Sequence, residues 1–145
     1  MEMQDWQKPA VNETDFHCVE ATRGREFIVR LTTGADPVKA LKRFAEEKHI
    51  RFGKIHAAFM GGFEPCRYDV WAPDARDLSN KSYEVTATRQ NITMLSAMGG
   101  MIGIRPDGKG GEESFVAAHF VAGGGWDTGT IAGHLEEGTR VFGVM

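Results

Sequence analysis

The chain has 145 residues, enough for one domain with a sizeable core. It is 41% hydrophobic and 26% charged, and no run of 18 apolar residues occurs, so no transmembrane helix is expected. A formal net charge of −3 excludes a strong global field for nucleic acid, since the basic residues are scattered rather than massed.

Residues 1–14 are polar and acidic and read as a mobile N-terminal arm ahead of a domain at 15–145. The start lacks the basic residues and apolar stretch of a signal peptide, which points to a cytoplasmic protein. FHCVEATR (16–23) alternates weakly, and REFIVRLT (25–32) reads as a strand with Phe27, Val29 and Leu31 on one face. Asp36 then suits a helix N-cap and Pro37 the first helical position. VKALKRFAEEKH has helical period, with Val38, Leu41, Phe44 and Ala45 as its apolar stripe.

KIHAAFM (54–60) reads as a buried strand, EPCRYDVWAP (64–73) and SYEVTA (82–87) as two more. QNITMLSAMGGMIG (90–103) starts as a strand and passes into a glycine- and methionine-rich stretch. Residues 105–111 form a polar turn. SFVAAHFVA (114–122) reads as a strand buried on both faces, GGGWDTG as a turn, and TIAGHLEEGTRVFGVM as a last strand or pair of strands. The expected fold class is α+β: a mainly antiparallel sheet of about seven strands with one main amphipathic helix, in a single domain.

Cys18 and Cys66 have no metal-finger spacing and are expected to be free thiols. Gly123-Gly124-Gly125 is not followed by a helix or by Lys-Ser/Thr and is no phosphate loop. No residue carries a nucleophile signature, so no catalytic residue is assigned.

Several motifs together resemble a known family. GREFIVRLTTGADPVKALKRFAEEKHIRFGKIHAAF, then NITMLSAMGGMIG at 91–103, then the Phe-x-x-x-His strand and Gly-His-Leu of residues 115–135 follow the order of the plants-and-prokaryotes-conserved (PPC) domain. The chain resembles a hookless bacterial-type member over roughly residues 16–145. The resemblance implies an antiparallel sheet with one or two helices, assembled as a homotrimer. Plant members carry the domain beside AT-hooks in nuclear DNA-binding proteins, so a DNA-binding or DNA-associated regulatory role through partners is implied. Arg23-Gly24-Arg25 is followed by Glu26 instead of the hook's proline, so direct groove binding is not expected. Asn91 and Ala97 also depart from the family's glutamate and glycine.

Three histidines stand out. His119 and His134 lie in apolar runs on either side of the glycine-rich turn, where ring nitrogens need partners. The family often has His-x-His in the penultimate strand; here Ala117 replaces the first, and His56 stands where members more often carry a small residue. His56, His119 and His134 therefore form a candidate metal constellation, suited to Zn²⁺, Ni²⁺ or Fe²⁺ with an open position for water. A turn centred near Trp126-Asp127 would set His119 opposite His134, whereas a slip of one residue would put them on opposite faces. Glu136 and Glu137 are the candidates for an outer acceptor or base. The alternative is that each histidine is a satisfied core residue or lines a subunit seam. Met94, Met98 and Met101 are candidates for that seam, with core filling as their alternative.

Overall fold

The computed structural model describes residues 20–71, 84–124 and 128–145. Helix α1 spans Pro37–Glu47, and eight strands follow it: β1 (Gly53–Ala58), β2 (Gly62–Phe63), β3 (Cys66–Trp71), β4 (Glu84–Arg89), β5 (Met94–Pro106), β6 (Glu112–Gly124), β7 (Thr128–Leu135) and β8 (Val141–Phe142). Six strands make one sheet in the order β1-β5-β6-β7-β3-β4, and β2 pairs with β8. Every named pairing is antiparallel. The α+β expectation stands, with eight strands among the described residues rather than about seven.

The helix begins where the sequence says it should. The Asp36 carboxylate accepts from the Lys39 N–H at 3.1 Å, and Pro37 occupies the first turn, where its missing N–H costs nothing. Val38, Leu41 and Ala45 are buried against the sheet. At the other end His49 N–H donates to Glu46 O and Ile50 N–H to Ala45 O, a Schellman closure in which Ile50 packs on the core. His49 sits there at φ 53°, a left-handed conformation that strains any residue with a Cβ. His49→Gly should raise stability by about 0.5–1 kcal/mol, the strain relief being partly offset by a looser unfolded chain. A urea midpoint that fails to rise would show that His49 carries no such strain.

The core lies between α1 and one face of the sheet. β6 alternates there, with Val116, Ala118, Phe120 and Ala122 buried. The strand is thus buried on one face only, because the intervening Ala117, His119 and Val121 face away from the helix. This corrects the expectation of burial on both faces. β5 continues straight through its glycine- and methionine-rich part. A Cβ at Gly100 would lie 2.0 Å from the Ala117 carbonyl, so glycine lets the two longest strands approach.

Residues 20–32 carry no strand, although 25–32 alternate well. Alternation makes a chain extended, but a strand also needs a neighbour for its backbone. Among the described residues only Leu31 finds one, exchanging N–H and carbonyl bonds with Met145. The side chains of Phe27 and Ile28 remain exposed. The arm at 1–14, Cys18 and the turn tip at 125–127 lie outside the described residues. No helix of those described is long and apolar enough to cross a membrane.

Candidate functional site

The site is built by register on the sheet face away from α1. His119 on β6 pairs directly with His134 on β7, and their rings meet edge to face with centroids 5.2 Å apart. On the far side of β7, Asp69 of β3 pairs with His134. On the near side of β6, Gly99 of β5 pairs with His119. Beyond Gly99, β1 bulges, so that His56 and Ala57 together span the gap between Ile55↔Gly100 and Ala58↔Met98. One row therefore crosses the sheet as His56, Gly99, His119, His134 and Asp69.

The floor around the two rings is small: Ala97 and Gly99 on β5, Ala132 and Gly133 on β7. These residues border an open cavity of about 800 Å³, with Asp69 and Glu136 on its rim. His119 is exposed and His134 half-buried. Thr139 fixes the local frame, because its buried hydroxyl accepts from the Arg67 N–H at 2.9 Å and donates to the Arg67 carbonyl at 3.0 Å. That anchors β3 two residues before Asp69.

Two carboxylates, Asp69 and Glu136, stand close together beside His134. Partial burial, then the neighbouring Asp69 charge, push the Glu136 carboxyl above the usual carboxylate range. Glu136 Oε1 stands 3.8 Å from His134 Nε2, longer than a hydrogen bond. Asp69 Oδ1 is buried and finds no donor among the described residues. A proton shared between Glu136 and Asp69 lowers the cost of placing the two carboxyls together.

The structure thus brings His119 and His134 together, while His56 borders a second groove that it shares with His119 across Gly99. Among the described residues no three His, Cys, Asp or Glu side chains stand ready to hold a metal ion. Glu137 turns away from the histidines and pairs with Lys42 and Lys39 of α1. Of the candidate seam methionines, Met98 is corrected to a core residue, because it points to the helix side and is buried. Met94 is exposed, and Met101 faces the outer side opposite Ala117. Cys66 is a free, buried thiol whose pKa burial pushes up to about 12, which leaves it unreactive.

The sequence reading missed Asp69. Its position alternates with the buried Cys66 and Tyr68, which marks it as facing the other side. Nothing local says that β3 inserts beside β7.

Several of the described cations are engaged in ion pairs. Arg51 pairs with Glu112, Arg105 with Glu113, Arg43 with Glu47 and Arg140 with Asp36. In the hook-like stretch Arg23 pairs with Glu26, and Arg25 donates to the Lys48 carbonyl at 2.7 Å.

Solved structures share the fold. A metal-containing protein from Archaeoglobus fulgidus matches with a TM-score of 0.67 at 19% identity, over 89% of this chain and 80% of that one. A plant- and prokaryote-conserved protein from Pyrococcus horikoshii matches at 0.63 and 20% identity, over 83% and 73%. A protein from Bacteroides thetaiotaomicron, provisionally named as DNA-binding, matches at 0.58 and 20%, over 79% and 68%. No curated protein matches. The family model of the Plants and Prokaryotes Conserved domain matches residues 19–145, and the chain belongs to that family.

Proposed function

We propose that this chain is a small homotrimeric PPC-domain protein that binds a divalent transition metal, with His119 and His134 as two of the ligands. The observation that carries the reading is the direct cross-strand pairing of the two rings, 5.2 Å apart, over a floor of small residues. Neutral imidazole suits Zn²⁺, Ni²⁺ or Fe²⁺, and strands hold such rings rigidly. His56 faces the same groove as His119 and is the third ligand that the sequence nominates. The Archaeoglobus protein, named as metal-containing, supports the reading at the level of the fold. Glu136 lies close enough to His134 to orient it once a metal draws the ring into place.

The test is elemental analysis of protein purified without an affinity tag, beside His119→Ala/His134→Ala. About one metal per chain is expected, and its loss in the variant. No metal in either protein, with the variant still trimeric, would leave the histidines as packing residues.

A second reading, favoured by the provisional name of the Bacteroides neighbour, is a DNA-associated role through partners. The net charge of −3 argues against direct binding. Salt-sensitive retention on DNA by the isolated protein would reverse that argument.

A further inference from the structure

We infer that the groove beside the open edge of β1 is the docking site of this chain's own residues 1–19, held there as an extended acidic segment. The inference goes beyond the metal reading and does not depend on it.

The groove encloses about 2130 Å³, with residues 21–31 on one side and residues 49–60 on the other. Pockets for single small molecules measure about 300–1,000 Å³, so this space suits a length of polypeptide. Its walls are apolar. Ile28, Phe52, Phe59 and Met60 all line it, and each is at least 60% exposed. An exposed apolar patch of this kind marks a surface that something covers.

The edge sets the shape of the occupant. β1 is the outermost strand of its sheet and, among the described residues, pairs only with β5. Its other side offers a row of unpaired backbone groups, which an extended chain satisfies by adding as a further strand. Residues 21–30 line the facing wall but form no ladder with it.

The lining sets the sign of the occupant's charge. Arg23, Arg25, Arg30, Arg51 and Lys54 stand there against one carboxylate, Glu26. Arg30 and Lys54 are exposed and pair with no described carboxylate. A chain of formal net charge −3 thus carries a basic groove. Nucleic acid would use these cations but leave the backbone edge unpaired. An acidic, apolar, extended peptide uses both.

Residues 1–19 fit that description. Glu2, Asp5, Glu13 and Asp15 stand against a single lysine, Lys8, with Met1, Met3, Trp6, Val11 and Phe16 among them. They join the described chain at Glu20, one residue before the groove wall begins at Ala21. The six residues of β1 span about 20 Å, and an extended segment of this length reaches about 60 Å, so it can turn back along the edge. Tethering at the wall gives it an effective concentration on the order of millimolar.

The experiment follows Trp6 in the full chain. Its fluorescence is the difference between each protein and its Trp6→Phe counterpart, and its exposure is read by quenching with uncharged acrylamide. Wild type is expected to quench at least about threefold more slowly than a synthetic peptide of residues 1–19. Arg30→Glu/Lys54→Glu should bring quenching to the peptide's rate, and adding Glu2→Lys/Asp5→Lys should restore protection. Restoration separates docking from local damage, because damage would not be repaired by changes on the other partner. Melting curves check that each variant is folded. Protection that ignores the Arg30 and Lys54 changes would overturn the proposal. Peptide-like quenching in wild type would also overturn it, and salt-sensitive binding of a single-stranded oligonucleotide would then give the groove to nucleic acid. Protection lost on dilution would overturn it in favour of a second copy seated in the groove.

Discussion

Phe120→Ala is expected to lower stability by about 3–5 kcal/mol, the cost of truncating a fully buried aromatic ring. Phe120 is 2% exposed and sits at the centre of an aromatic cluster. Its ring meets Phe63 at 5.5 Å and Tyr68 at 5.6 Å, both edge to face. The cluster joins β6 to β2 and to β3, so its loss removes contacts between elements far apart in sequence. For a domain whose whole stability is on the order of 5–15 kcal/mol, this is a large share. The melting temperature should fall by roughly 10–15 °C. Phe120 follows His119 directly, but its side chain enters the opposite face. The variant should therefore lose stability without changing the His119–His134 face. A loss below about 1 kcal/mol would show that the cavity collapses or that the cluster is not the core.

That division of faces explains what the sequence made legible. The nearly continuous apolar run of residues 114–122 announced a strand, and the helix at 37–47 announced itself by its cap, its proline and its apolar stripe. What alternation did not announce was whether a strand has a neighbour. Residues 25–32 alternate in sequence, yet among the described residues only Leu31 pairs, with Met145. Ladder partners are set by tertiary contacts, and local pattern carries no record of them. The outer face of β6 misled for a related reason. Ala117 and Ala118 are equally apolar, but one faces the cavity side and the other the core.

For the site, the β6–β7 register sets His119 opposite His134, which spacing alone could suggest. His56 and Asp69 show where spacing stops being informative. Both reach the row through strand insertions that no local signal encodes: β1 beside β5, and β3 beside β7. The histidine drew attention because its chemistry is familiar. The aspartate did not, because one carboxylate in an alternating strand usually faces water.

Asp36→Ala should cost about 2–4 kcal/mol, more than the loss of an ordinary helix cap. The sequence identified Asp36 as an N-cap, and it is one, accepting from Lys39 N–H at 3.1 Å. That bond accounts for about 1 kcal/mol. The second carboxylate oxygen does something the sequence could not show. It accepts from Gly138 N–H at 2.8 Å and from Arg140 Nη1 at 3.1 Å, about a hundred residues away. Asp36 is 8% exposed, so removing it leaves Gly138 N–H without its acceptor, at about 1–3 kcal/mol. Arg140 is about half exposed and contributes under about 1 kcal/mol, because water can replace its partner. Asp36→Asn separates these contributions. Asparagine caps a helix as well as aspartate, but its amide cannot accept from Gly138 and Arg140 with the same charge. It should therefore cost about 1–2 kcal/mol, between wild type and alanine. Equal losses for Asn and Ala in urea unfolding would place the whole effect in the charged contacts to the 138–140 turn. Equal stability of Asn and wild type would place it in the cap. The expected intermediate result makes Asp36 the pin that holds the start of α1 to the turn just beyond His134 and Glu136.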